Sequence, residues 1–522
     1  MKKLFVLFLI LFSCCAFAQV PEPAMRWLNG CGGNDFDAIG SPVTKTSDGG
    51  FIIGIGTNSA AGTGNIDSFC NISGNRNIFI KYNSDATILE WSKCFSYGSG
   101  DTGFIYLFPQ NDGGNILGGE YLSGSGWGFY LCKQDGLGNI VWSHGYSKGN
   151  GPLLRDMITT KDGGYIMAGE VYYADTNFTK HYGASMSSDI GVLKLDSLGN
   201  KVWCRVIGGT GDEYVTKVIS GTNGRFYIEG TTASNDSDCT GNHGGNDVYL
   251  ACLDSNGNIL WHRDIGGSND EGGDYACEDG KGGIIISATT TSMNGDVHHY
   301  AGGGSDYYVL EVDSSNNILW DNCFGGAGSP YAVSICKAID GSIWINGLSN
   351  GKGGEIDTVY DVLNGDAWLV HTDSIGNFIN AKVLGSIGYD KGNMVYPLSN
   401  GNVIAGGFYS GGNGAFDSLV FYGGSNAFLA VFAATTTEVK KINAPNNFVS
   451  IYPNPTCRQV TIKENQKSNC QIIITNVLGE IIYQTSFIYL INIAVNEWTK
   501  GLYYVQLKDE YGYRCVQKLL VQ

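Results

Sequence analysis

No run of basic residues interrupts this chain: Lys and Arg number 32 against 49 Asp and Glu, a net charge of −17. The balance is two units more negative if Lys2 and Lys3 are removed with the N-terminal segment. A chain so acidic is repelled by phosphate backbones, which excludes nucleic acid as a partner. Beyond residue 18 no apolar stretch is long enough to span a bilayer. Nor is there a His-Glu-x-x-His string, or a Cys/His pair in a recognisable catalytic setting, so no catalytic residue is assigned. No Cys-x-x-Cys pair is present, which argues against a zinc site among the 15 cysteines. Charged residues are scarce at 16%, yet the 77 glycines punctuate apolar runs rather than fill low-complexity tracts. That is not a disorder composition.

What the chain does have is a period. Trp27, Trp91, Trp142, Trp203, Trp261 and Trp320 recur at intervals of 51 to 64 residues, and Asn380 takes the same place in a last copy. Self-similarity at this length means stacked or circular supersecondary units. Each unit holds four short runs of β-branched and aromatic residues. In the clearest they are Glu213–Ser220, 225–231, Asp247–Leu253 and 259–264. Asp-Gly or Asn-Gly turns such as Asp48-Gly49, Asp162-Gly163 and Asn223-Gly224 join the first two as tight antiparallel hairpins. A turn of form Asp-x-x-Gly-Asn, as in Asp254–Asn258, joins the last two.

Four antiparallel strands repeated seven times predict an all-β chain, a seven-bladed β-propeller over 19–433. The last unit reaches its third strand at 426–431 and lacks a fourth. The orphan segment 25–33 supplies it, closing the ring and removing both open edges.

Residues 1–18 read as a signal peptide: Lys2-Lys3, the apolar run 4–12, and Ala16-Phe17-Ala18 as cleavage site. The 13 cysteines after it do not recur at one repeat position. An odd number leaves at least one without an intrachain partner, and Cys31, Cys94 and Cys323 are expected to serve as small buried apolar residues.

The recurrent Asp…Gly…Trp turn resembles the tryptophan-docking repeat of quinoprotein-type propellers, which implies that these tryptophans pack in the core between blades. After the linker 434–447, residues 448–522 carry Ser450–Thr456 (SIYPNPT), the centre Leu478-Gly479-Glu480, Gly501-Leu502-Tyr503 and a Lys-apolar end. This tail resembles the C-terminal sorting domain of the type IX secretion system. The resemblance implies a small β-sandwich, the outer-membrane translocon as partner, and delivery to the cell surface or extracellular space. Asp196-Ser197-Leu198, Asp357-Thr358-Val359, Asp373-Ser374-Ile375 and Asp417-Ser418-Leu419 look like acceptors of the O-glycosylation system found alongside that pathway.

Tight turns gather at one end of such blades and long variable loops at the other, where binding is usually built. Those loops carry Tyr172, Tyr173, Phe178, His181 and Tyr182, then His298, His299 and Tyr300, then Phe416, Phe421 and Tyr422. Of these, Tyr172, Tyr173, Tyr182, His298, His299 and Tyr300 are the candidate ligand contacts, suited to a glycan or a surface protein. Asp236, Asp238 and Asp247 offer oxygen ligands for calcium, although their spacing matches no standard loop. The reading is a surface-displayed binding propeller. The alternatives are a polysaccharide hydrolase or lyase on the same scaffold and a structural adhesin without a pocket.

Overall fold

The computed structural model describes residues 25–522 apart from 40–42, 61–62, 66–68, 70–75, 97–102, 124–125, 147–152, 185, 222–223, 357–359, 361–363, 434–448, 465–468, 477–480 and 510–513. The signal peptide, the linker and Leu478–Glu480 therefore lie outside the described residues. The chain divides into two units at Ala434.

The first unit is a propeller-like array of four-stranded antiparallel sheets. Sheet three runs Leu153–Thr159, Tyr165–Val171, Asp189–Leu195 and Lys201–Ile207. Sheet four is Glu213–Ser220, Phe226–Thr232, Asp247–Leu253 and Ile259–Ile265. Sheets two, five and six follow the same plan, opening on Gly103–Pro109, Glu271–Glu278 and Tyr331–Lys337. In sheet one the first strand is broken: Asp37–Ile39 and Thr44–Lys45 both pair with Phe51–Thr57. Sheet seven holds Lys391–Pro397, Val403–Tyr409 and Asn426–Phe432, and Met25–Cys31 pairs antiparallel with the last of these. The second and third strands are buried end to end, as in Tyr165–Val171 and Asp189–Leu195. Continuous apolar runs are what a strand covered on both faces requires.

The Asp-x-x-Gly-Asn turn is held by its own aspartate. Asp254 Oδ1 accepts the N–H of Asn256 and Asn258, and Oδ2 accepts Asn258 Nδ2 at 2.9 Å. Asp135, Asp196, Asp313 and Asp373 repeat the arrangement. Asp196 and Asp373, in two of the four glycosylation motifs, are thus turn formers, while 357–359 lies outside the described residues. Gly199, Gly257 and Gly376 sit at φ 81°, 81° and 78°.

A second reason for glycine comes from the neighbouring sheet. A Cβ on Gly257 would lie 2.8 Å from the Trp203 ring, and one on Gly376 would lie 2.4 Å from Trp320. Each indole leans on the turn of the following sheet, and Trp203 also donates to Ser255 O at 2.9 Å. The described tryptophans of the series are half-buried rather than core, because the turn they cover is itself at the surface. The expectation for the cysteines needs a correction at Cys94, which is disulfide-bonded. Cys31 and Cys323 are buried thiols, as expected.

The second unit pairs a three-stranded sheet (Val449–Tyr452, Gln459–Glu464, Leu490–Ala494) with a four-stranded one (Ile481–Ile488, Asn469–Asn476, Gly501–Asp509, Arg514–Val521). Its core gathers Val460, Ile462, Ile472, Ile474, Ile493, Val505 and Leu507 from both sheets.

Candidate functional site

A cavity of about 600 Å³ lies where the first strands of six sheets converge, lined from Tyr106, Arg155–Asp156, Thr216–Ser220, Tyr275–Glu278, Val333–Lys337, Asn393–Pro397 and Val43. Ser220, Glu278, Lys337 and Pro397 end their strands, so the cavity reaches the tight-turn side. The sequence reading expected function among the long loops at the other side.

The wall is shaped by one repeated irregularity. Six first strands carry a β-bulge at the same register, leaving Ile105, Arg155, Thr216, Asp274, Val333 and Asn393 without a cross-strand partner. A bulge releases one side chain from the alternation of the ladder and re-aims it. Of the six, Arg155, Thr216, Val333 and Asn393 line the cavity.

One side of the wall is polar. Lys217 lies 3.0 Å from the Asp156 carboxylate, and Tyr275 places its ring face 4.6 Å from the ammonium. Asp156 also accepts the N–H of Val218 at 2.8 Å and the Tyr106 hydroxyl at 3.3 Å. The carboxylate and the ring hold the Lys217 ammonium above its ordinary pKa despite burial, so it stays charged. Arg155 gives Nε to both oxygens of Glu170, at 2.8 and 2.6 Å. Asp274 accepts Thr289 Oγ1 at 2.7 Å, and burial pushes its carboxyl up to about 7. Val43, Val333, Ile335, Met394 and Val395 add apolar surface to the wall.

The loop residues chosen from sequence are largely tied to their own surroundings. Tyr182 donates its hydroxyl to Asp238 at 2.6 Å and its N–H to Asp189, while Lys180 lies over its ring. Tyr173 is exposed and stacks on His181. His298 is held by Asp321 through its N–H and Nδ1, and Tyr300 donates to Gly303 O. His299 sits at φ 66° beside His298. Tyr172 is the member whose surroundings reach the cavity wall, through the charges of Glu170 and Arg155. Phe178 and Phe416, expected as exposed aromatics, are fully buried. Phe178 packs edge-on against Phe129, and Phe416 stacks on Tyr409. Both loops fold back to plug the ends of their sheets.

The acids suggested for calcium are engaged by protein donors instead: Asp236 by Thr210 N–H, Asp238 by Arg205 and Tyr182, Asp247 by His243. Among the described residues no group of three or more His, Cys, Asp or Glu side chains could hold a metal ion. The string Gly347-Leu348-Ser349-Asn350-Gly351 has the spacing of a nucleophile elbow. Ser349, however, ends a strand in full burial and is no exposed nucleophile.

Sequence reasoning also missed why a Gly-Gly pair follows the fourth strand in sheets three, four, five and seven, at 208–209, 266–267, 325–326 and 32–33. Asp189, Asp247 and Asp306 open third strands, fully buried, and the Oδ1 of each has no hydrogen-bond partner among the described residues. That oxygen lies against the first glycine of the pair: a Cβ there would be 2.0 Å from Asp189 Oδ1 at Gly208 and 1.7 Å from Asp306 Oδ1 at Gly325. In sheet seven Asn426 takes the aspartate's place. Its Oδ1 accepts the Tyr422 N–H as Asp189 Oδ2 accepts that of Tyr182, and its Nδ2 donates to Gly33 O. An amide thus occupies the seat in one sheet, where a neutral donor suits better than a bare oxygen.

Burial, with Glu213 adding like charge, pushes Asp189 up to about 6. Its folded pKa exceeds the unfolded value of about 3.9, so its contribution is intact below pH ~4 and lost as pH rises toward 6. Asp189→Asn should therefore raise the Tm at pH 7.5 by about 2 °C, roughly 1 kcal/mol after allowance for screening. It should also shrink the rise in Tm on going from pH 7.5 to 5. A Tm lowered at both pH values would show that the ionised carboxylate is the better fit.

Residues 450–522 match the secretion system C-terminal sorting domain. The protein is therefore exported by the type IX machinery to the cell surface or extracellular space. Among the described residues no helix is long and apolar enough to cross a membrane. No curated protein sequence matches the chain. Among solved structures, the chain is similar to the Neurospora crassa Pan2 WD40 domain at 11% identity and TM-score 0.39, covering 76% of this chain and 89% of that one. It is similar to the extracellular domain of the putative hybrid two component system BT4673 from B. thetaiotaomicron at 10% identity and TM-score 0.29, with 93% and 69% covered. It is similar also to a point mutant of NanB sialidase from Streptococcus pneumoniae at 11% identity and TM-score 0.34, with 74% and 67% covered.

Proposed function

We propose that the protein is a binding propeller presented outside the outer membrane, a ring of seven blades closed by Met25–Cys31, with its ligand seated in the central channel. The observation that carries this is the cavity of about 600 Å³ at the convergence of six first strands. A cleft of this size with a few convergent polar groups and apolar surface suits a small ligand or the end of a longer one. The pairing of Met25–Cys31 with Asn426–Phe432 supports closure, because it leaves neither terminal strand edge open. The loops bearing Tyr172, Tyr173, Tyr182, His298, His299 and Tyr300 form a second contact surface.

The test is a glycan and protein-partner array probed with the mature protein, residues 19–522. Captured ligands are then titrated against Lys217→Met, at the wall, and against the triple Ala variant of His298, His299 and Tyr300. Loss of affinity by about tenfold or more in the wall variant alone supports the channel. Loss in the loop variant alone, with the wall variant folded and binding as the parent does, overturns it.

A further inference from the structure

We propose that the loop-side joints between sheets three and four, four and five, and five and six are each closed by a proton, so that this face of the array is tight in acid and loosens toward neutral pH. At each joint the aspartate that opens a third strand meets an acid of the following sheet: Asp189 meets Glu213, Asp247 meets Glu271, and Asp306 meets Glu355. All but Glu355 are fully buried.

In the first two joints both carboxyl groups press on one glycine. A Cβ on Gly208 would lie 2.0 Å from Asp189 Oδ1 and 3.1 Å from Glu213 Oε2, and one on Gly266 would lie 2.6 Å from Asp247 Oδ1 and 2.5 Å from Glu271 Oε2. The glutamates are well supplied with donors. Glu213 takes the Gly209 N–H and the Thr232 hydroxyl, both at 2.8 Å. Glu271 takes the Gly267 N–H and the Thr290 hydroxyl, both at 2.6 Å, and Glu355 takes the Gly325 N–H at 3.1 Å. Each aspartate accepts a loop N–H on Oδ2, from Tyr182, His243 or Ala301, and its Oδ1 has no hydrogen-bond partner among the described residues. Two carboxyl groups sharing a buried site do not both ionise, and the oxygen without a donor is the one that keeps the proton.

Sheet seven holds the permanent form of the same joint. Asn426 fills the aspartate's seat, Oδ1 accepting the Tyr422 N–H at 2.9 Å and Nδ2 donating to Gly33 O at 3.1 Å. The facing acid, Asp37, takes the Gly33 N–H at 2.6 Å and the Ser59 hydroxyl at 2.9 Å. An amide donates at any pH, whereas a carboxyl group donates only while protonated. Burial, with the facing acid adding like charge, pushes Asp189 and Asp306 up to about 6 and moves Asp247 in the same direction. His181, 3.7 Å from Asp189, Lys180, and His243, 2.7 Å from Asp247, favour the carboxylate and oppose that shift without cancelling it. Tyr182 near Asp189, and Tyr300 and Cys323 near Asp306, are kept neutral by burial. The folded pKa of each aspartate exceeds the unfolded value of about 3.9, so closure is complete below pH ~4 and is lost as pH rises through 6. The loops carrying Tyr182 and His298–Tyr300 return to their sheets at these aspartates, so their anchorage changes with the joints. The device is independent of where a ligand sits.

The test is hydrogen–deuterium exchange of the mature protein, residues 19–522, at about pH 5 and about pH 7.5, with labelling times scaled to the intrinsic rates. Peptides covering 208–213, 266–271 and 325–331 should lose about tenfold in protection at the higher pH. The peptide covering 32–37, beside Asn426, should be protected alike at both. Asp189→Asn, Asp247→Asn and Asp306→Asn combined should erase the difference in the three joints. Asn426→Asp should do the reverse and make 32–37 pH-dependent.

Equal protection of the three joints at the two pH values in the parent overturns the switch. So does a difference that survives in the folded triple variant, because it assigns the titration to other groups. A folded Asn426→Asp variant whose 32–37 segment stays indifferent to pH overturns it as well, and that variant decides the matter even if the triple variant fails to fold.

Discussion

Deleting residues 19–33 should abolish the cooperative melt of the array and drive the protein into aggregates. Met25–Cys31 is the partner strand of Asn426–Phe432 through six registered residue pairs. Ala427, Leu429 and Val431 on that strand share a core cluster with Cys31, Ile39 and Ile55. Removal exposes one apolar strand as an unpaired edge and opens the contact between the first and last sheets. Domains are stable by only about 5–15 kcal/mol, so the expected loss is of the same order as the whole. Thermal denaturation with light scattering is the measurement. A deletion variant that melts as the parent does would sink the closure.

The second large effect is on location rather than stability. A chain ending at residue 447 should remain in the periplasm, with surface delivery falling from near complete to background. Its melting curve should be unchanged, because residues 435–522 form a unit with their own core of Val460, Ile472, Val505 and Leu519. Protease shaving of intact cells and fractionation distinguish the compartments. Surface exposure of the truncated chain at parental levels would remove the tail's role in sorting.

The parts legible in the sequence were those written locally. Asp254–Asn258 announces its turn within five residues, because one carboxylate satisfies two backbone N–H groups and an amide in that short span. The strands of sheet four fell within one residue of their observed limits for the same reason: alternation, apolar runs and turn formers are nearest-neighbour information. The sorting tail was readable because its motifs stand in order at the chain's end. The cavity was not. Its wall draws one or a few residues from each repeat, some sixty positions apart, and a β-bulge leaves no mark in composition. Arg155, Thr216 and Asn393 look like ordinary strand residues until the ladder skips them. Phe178 and Phe416 misled for a related reason. A loop long enough to reach out is also long enough to fold back, and a large apolar ring favours the latter.

Trp142, Trp203 and Trp320 each finish a turn that belongs to the following sheet, at Gly199, Gly257 and Gly376. In these three seams the contact points forward along the chain and joins the same two positions of the repeat. Units joined in this way can follow one another without redesign of either surface. Gain or loss of such a unit by gene duplication or deletion would leave the seam intact. The seam is standardised while the bulged residues facing inward differ from sheet to sheet. A lineage built on this plan could alter what it captures without reopening how it is joined.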